Sequence, residues 1–386
     1  MPPPSHGRGE AASPGAVRST RTIFLILGLV AAAWAPLVPD LKLRLSLDDA
    51  ELGLMLLAIG AGSLLAAPLA GLLVARLGGR LVMLALGVLF CATLPALTVL
   101  PGIPLTAIAL FLFGATLAGI DVAMNIQAVA VERACARPMM SGFHGLFSVG
   151  GLLGASIVSA LLFVNATPLI ATLIIAAAAL ALLLSQSPAF LPRAEAPAAG
   201  LAIPHGRLAL IGALCFIAFM AEGAVHDWTA VLLRFHRDAG PATAGLAYAA
   251  FATAMTIGRL SGDAVLKRFP HVHVLAWGAA IAAAGFLTMT ALPTIPAALI
   301  GCALIGIGEA NIVPALFSAA ARTKGADPNL AIAAVASPGY IGLLAGPPLI
   351  GLAAQATTLP IALAAAGLLL LLITATARTA THEDPA

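Results

Sequence analysis

The chain has 386 residues, 61% of them hydrophobic and only 9% charged, with a formal net charge of +3. Ordinary soluble domains carry about 25% charged residues, so a fold whose exterior meets water is excluded, and the exterior here must meet lipid. The positive balance is not a nucleic-acid footprint, because its position along the chain has another explanation.

Residues 1–20, rich in Pro, Gly and Ser, are expected to form a disordered cytoplasmic tail. Twelve apolar segments then follow, each long enough for the roughly 20 residues that a helix needs to cross a bilayer. They are 21–40, 49–75, 80–99, 104–132, 141–163, 167–187, 207–231, 242–264, 272–292, 295–320, 328–353 and 357–377. With the N-terminus inside, the inner segments hold 15 of the 19 Lys and Arg residues, and the outer loops hold only Lys42, Arg44, Arg234 and Arg237. Positive charge concentrates in cytoplasmic loops, so both termini are expected in the cytoplasm. The apolar run after Arg21 is read as the first span and not as a signal peptide, whose removal would leave an odd number of spans.

The longest polar interruption, with Pro188, Pro192, Pro197 and Pro204, is read as a linker over 188–206. It divides an N-terminal six-helix bundle, 21–187, from a C-terminal one, 207–377, followed by a cytoplasmic tail, 378–386. The expected fold is therefore all-α and integral to the membrane, with twelve transmembrane helices in two pseudo-symmetric bundles. The halves echo each other. The second span ends Gly71-Leu-Leu-Val-Ala-Arg76-Leu-Gly78-Gly79-Arg80, and the eighth ends Gly258-Arg259-Leu-Ser-Gly262-Asp263. The fifth and eleventh spans are both glycine-rich. Gly150 and Gly154, like Gly342 and Gly346, put small residues on one face, which lets helices approach closely in lipid. That serves either tight packing or a surface along which the halves rock. Duplicated halves around a midplane site are the plan of many secondary transporters.

Ionisable side chains inside a span cost at least about 2.5–3.5 kcal/mol on insertion scales and usually face a wet cavity. The fourth span carries Asp121, Asn125 and Glu132 at spacings that place them on one helix face. Gln127 lies off that face, toward a neighbouring helix. His144, entering the fifth span from the same side as Asp121, forms with it a candidate proton site, since histidine titrates near neutrality. Glu132 and Arg133 border the loop and read as a gate or loop ion pair. In the seventh span Glu222 and His226 share a face, while Asp227 and Trp228 are placed at the outer surface, with Trp228 as an interface anchor. The tenth span holds Glu309 and Asn311 between Gly306, Gly308 and Pro314, a composition that loosens a helix near transport sites. Arg259 and Asp263, four apart, read as an ion pair of the cytoplasmic gate. Trp34, Tyr248 and Tyr340 are the aromatic candidates for holding a solute. Pro36 and Pro39 are expected to bend the first span.

The four cysteines have neither disulfide nor metal spacing. No nucleotide-binding loop, G-x-S-x-G elbow or H-E-x-x-H helix occurs, so neither ATP drive nor hydrolysis is expected: no enzyme, no cofactor, no metal.

These residues resemble the major facilitator superfamily over all twelve spans. Gly71, Arg76, Gly78 and Arg80 match that family's loop after the second span, with Ala75 where it usually has Asp; the resemblance implies a cytoplasmic gate there. The stretches Asp121–Arg133, Ser141–Ser148 and Glu222–Trp228 look like bacterial members near the fucose-permease branch. The resemblance implies a major facilitator fold in the bacterial inner membrane. The expected function is alternating-access transport of a small molecule, with protons as coupling ion and a sugar or related polar solute as cargo. The chain would work as a monomer in the lipid bilayer, without nucleic acid. Two alternatives stay open: a proton-antiport exporter of hydrophobic compounds, and a non-transporting membrane sensor or lipid-handling protein.

Overall fold

The computed structural model describes residues 13–135, 139–192, 204–323 and 328–381. Fifteen α-helices cover these residues. The first membrane pass is α1 (Pro14–Ala32), a short 3₁₀ turn at Ala35–Leu37, and α2 (Val38–Arg44). Pro36 and Pro39 thus interrupt the span where expected, because each removes a backbone donor. The rest of the first half is α3 (Asp49–Leu77), α4 (Gly79–Val99), α5 (Ile103–Cys135), α6 (Met140–Phe163) and α7 (Pro168–Gln186). The second half is α8 (Arg207–His236), α9 (Pro241–Leu260), α10 (Gly262–Arg268), α11 (His271–Ala291), α12 (Ile295–Glu309), α13 (Ile312–Ala321), α14 (Pro328–Ala356) and α15 (Leu359–Thr381). Among the described residues eleven passes are long and apolar enough to cross a membrane. The twelfth is α9, continued by α10 after a turn at Ser261.

Local chemistry sets many of the ends. Asp48 and Glu51 form a reciprocal capping box on α3. Ser13, Thr167 and Thr294 cap α1, α7 and α12 through their side-chain oxygens. Gly78, between α3 and α4, sits at φ +88°, where a side chain is strained; this explains the glycine at that point of the loop pattern.

Two expected tails are shorter than predicted. Helix α1 starts at Pro14, because Ser19 and Gln127 hold it against the linker: Ser19 Oγ donates to the Ala189 carbonyl (3.1 Å), and Leu191 N–H donates to Gln127 Oε1 (3.1 Å). Gln127 also donates to Thr20 (2.8 Å), so it faces a neighbouring helix as its register requires. At the other end α15 continues through Arg378 to Thr381, and Arg207 donates to its Ala380 carbonyl. Residues 193–203 of the linker lie outside the described residues.

The two halves pack by the same three crossings, each made at glycine. Gly28 and Gly150 join α1 to α6, as Gly342 joins α14 to α8. Gly62 and Gly114 join α3 to α5, as Gly306 joins α12 to α9. Gly87 meets Leu183 of α7, and Gly367 of α15 meets Phe286 of α11. In lipid no hydrophobic force draws helices together, so close backbone approach supplies the attraction. The glycine stripes of the fifth and eleventh spans therefore lock helices within each half. Contact between the halves uses other glycines: a Cβ on Gly53 would lie 2.7 Å from the Pro347 carbonyl, and one on Gly245 would lie 2.9 Å from Pro36 Cβ.

The four basic residues that break the charge split are all engaged by protein. Lys42 pairs with Asp49 and lies 5.0 Å over the Phe235 ring of the other half. Arg44 donates to the Leu97 carbonyl (2.6 Å) and to that of Leu100, at the end of α4. Arg237 does the same for α11 through Thr290 (3.1 Å), and Arg234 donates to the Ala239 carbonyl (3.1 Å). Cations at helix C-termini satisfy orphan carbonyls and complement the helix dipole.

These contacts close the molecule at the end bearing the α2–α3 and α8–α9 turns. At the opposite end, which holds the termini, Gly71 of α3 and Gly142 of α6 face no atom within 4 Å. Glu222, Arg259, His144 and Tyr340, all at least partly exposed, face the space between the halves, which we read as a cavity opening at this end.

Candidate functional site

The second half supplies most of the charge facing the cavity. Glu222, halfway along α8, accepts from Arg259 of α9 at 3.3 and 3.5 Å. Both side chains are partly open to the cavity, so the pair is worth at most about 1 kcal/mol and is free to exchange partners. Arg259 thus belongs to the centre of the site. The Asp263 side chain of the expected pair lies outside the described residues; the contact that Arg259 makes among the described residues is with Glu222 of another helix.

Glu309 lies behind that pair. It is 4% exposed, and neither carboxylate oxygen has a hydrogen-bond partner among the described residues. The charges of Glu222 and Arg259 reach it. The helix breaks at this point: α12 ends on Glu309, and α13 starts at Ile312. Asn311 fixes the break by donating to the Gly258 carbonyl (3.1 Å), so its amide supports the site. A buried carboxylate without a partner costs several kcal/mol when charged, which makes Glu309 a candidate for a functional rather than a structural group.

Further along α8, His226 Nδ1 meets Asp227 Oδ1 at 2.8 Å, and its ring stands edge-on to Tyr248 at 5.0 Å. Tyr248 packs on Phe251 and is reached by the charges of Glu222, Arg259 and Asp227. Asp227 is buried, and Trp228 is fully buried with its indole nitrogen unpartnered. Neither lies at an outer surface, because α8 is enclosed by neighbours where these residues sit. Trp228 is therefore a core residue.

The first half brings Asp121, Asn125 and His144. Asn125 Nδ2 donates to the Asp121 carbonyl (2.8 Å) and to its carboxylate (3.2 Å). No hydrogen bond or ion pair joins Asp121 to His144. The imidazole instead stands edge-on to Phe24 at 5.1 Å, exposed to the cavity, where the Arg259 charge reaches it. Tyr340 of α14, 55% exposed and packed on Phe219, is reached by the charge of Asp121. Arg259 and His144, and Asp121 and Tyr340, thus face each other from opposite halves without direct contact.

Other candidates lie elsewhere. Trp34 is buried against Phe113, with ring centroids 6.4 Å apart, and does not reach the cavity. Glu132 accepts from the backbone N–H groups of Met139 (2.5 Å) and Met140 (2.8 Å), tying α5 to the start of α6; it makes no ion pair with Arg133, which is exposed. At the open end Arg76 is exposed and Arg80 half-buried, and neither forms an ion pair with another described residue. The Lys42, Asp49 and Phe235 cluster at the closed end had no signal in residue spacing, since its members come from both halves.

The chain is 46% identical to an uncharacterised MFS-type transporter of Yersinia pestis, over 97% of its own length and 98% of that protein's. It belongs to the major facilitator superfamily. It is also 33% identical to an uncharacterised transporter of Sinorhizobium fredii, over 91% of this chain and 94% of that one. Identity to the membrane protein MosC of Rhizobium meliloti is 34%, over 87% and 83%. These names carry no substrate, and the family is assigned without a branch. No family model matches the chain. Among solved structures, the fold is similar to the nucleoside transporter NupG (TM-score 0.75, 13% identity, 96% and 100% covered). It is likewise similar to a D-xylose–proton symporter (TM-score 0.74, 12% identity, 96% and 98% covered). The protein is thus a multi-pass membrane transporter of the major facilitator type, and two of these relatives are named as transporters rather than enzymes.

Proposed function

We propose that this transporter couples movement of a small polar solute to protons, by alternating access, in a bacterial inner membrane with both termini in the cytoplasm. The observation that carries the reading is Glu309: a buried, unpartnered carboxyl at a helix break, behind an exchangeable Glu222–Arg259 pair. A proton on Glu309 removes the uncompensated charge. A solute that engages Arg259 releases Glu222 and changes the field at Glu309, which links solute binding to proton exchange. Asp121 is the second proton candidate, with His144 facing the same cavity.

The cavity aromatics Tyr248 and Tyr340, with Arg259 and His144 as donors, suit a sugar or related ring-bearing polar solute. The 15-to-4 charge split supports cytoplasmic termini and an open end that faces inward. A single chain supplies every group used, so a monomer suffices.

Purified protein screened by thermal shift against sugars, nucleosides, amino acids and amphiphiles should identify the solute, since ligands that bind the folded state stabilise it. Adding that solute to proteoliposomes should then move protons with it in the same direction. Proton movement opposite to an amphiphile would instead identify an exporter. Binding without any flux would identify a sensor, and either result rejects the proposal.

A further inference from the structure

The proton-coupled site leaves unused a cleft on the outside of the second half. It lies between the first turns of α11 and the last turns of α15, has a volume of about 500 Å³, and is lined by His273, Ala276, Trp277, Ala280, Thr374 and Arg378. Its floor is fixed, because Thr374 Oγ1 donates to the Ala276 carbonyl at 3.0 Å. Its walls are apolar toward the bilayer and polar toward the end of the molecule. Trp277 is 67% exposed, whereas the other two tryptophans, Trp34 and Trp228, are fully buried. Arg378 and His273 stand exposed at its polar end, and Arg378 forms no ion pair with another described residue. The same end of the second half carries Lys267 and Arg268 on α10, and Arg322, whose charge reaches His271.

We infer that this cleft binds an anionic glycerophospholipid. An indole facing lipid one to two turns inside the helix end sits at headgroup depth, where tryptophan is favoured. The guanidinium of Arg378 then lies level with a lipid phosphate, which it engages as a charge-assisted donor, and one acyl chain runs along Ala276 and Ala280. Basic clefts between transmembrane helices recognise lipid headgroups in this way. Charge complementarity decides the occupant: the cleft has cationic groups, no described acidic residue among its lining, and an apolar wall continuous with the bilayer.

Trp277 reports on the site directly. Protein is reconstituted into phosphatidylcholine vesicles containing a small fraction of either brominated phosphatidylglycerol or brominated phosphatidylcholine, and tryptophan quenching is compared. Bromine on acyl chains reaches Trp277 and not the two buried indoles. We expect phosphatidylglycerol to occupy the cleft about fivefold more than phosphatidylcholine, equivalent to roughly 1 kcal/mol for one basic side chain at the surface. Arg378→Gln should reduce that ratio to about one, and Trp277→Phe should remove the quenching. Equal quenching by the two lipids in the wild-type protein overturns the inference, as does a preference that survives Arg378→Gln or Trp277→Phe. Loss of the preference on adding millimolar inorganic phosphate would show a free-anion site instead. None of these readings depends on transport, so they stand or fall separately from the proton-coupled reading.

Discussion

Glu309→Gln should bind and exchange solute like the wild-type protein and fail to accumulate it. The amide keeps the size and hydrogen-bonding capacity of the carboxyl at the end of α12, so the break before Ile312 and the Asn311 contact to Gly258 are preserved. What is lost is the ability to take up and release a proton. An imposed gradient of one pH unit is worth about 1.4 kcal/mol per proton, or about a tenfold solute ratio. The wild-type protein in proteoliposomes should approach that ratio, and Glu309→Gln should stay at about one while counterflow persists. Tenfold accumulation by the variant would remove Glu309 from the coupling step, with Asp121→Asn as the next variant to measure.

A second large effect is expected at the helix crossings. A Cβ on Gly28 would overlap the Phe147 carbonyl and come within 2.9 Å of the Gly151 nitrogen, both backbone atoms of α6. Backbone cannot give way as a flexible side chain does, so Gly28→Leu should cost more than the 1–3 kcal/mol typical of overpacking and lose most of the folded protein. Gly71→Leu is the contrast, since nothing lies within 4 Å of that position. It should melt within about 0.5 kcal/mol of wild type and slow transport, because the added side chain opposes closure of the open end. Melting temperature and monodispersity in detergent measure both. Similar behaviour of the two variants would show that the crossing and the open end are not as described.

The passes were legible because lipid imposes length and apolarity on each of them, and α9 is the weakest because it carries Tyr248 and Arg259 along with many alanines. The break at Glu309 was legible too: an acid between glycines and a proline is rare in a span. What sequence spacing hid is partnership between helices. Arg259 and Asp263 are neighbours on paper, while Glu222, which Arg259 meets in the structure, comes from another helix. Gly150 and Gly342 were visible as small faces, but not that each faces a helix of its own half. Trp34 and Trp228 were misplaced for a related reason. An indole belongs equally to a core or a membrane surface, and only the rotation of its helix in the bundle decides; Trp277 is the one that faces out.

Alternating access about the charged cavity is the central claim, and paired spin labels measure it most directly. In a background lacking the native cysteines, labels at Arg76 and Arg268 span the open end, and labels at Leu43 and Gly240 span the closed end. Double electron–electron resonance should show reciprocal changes when solute is added or the pH is lowered: the 76–268 distance shortens while the 43–240 distance lengthens. Distances that stay fixed at both ends, or that change together in the same direction, would contradict the account.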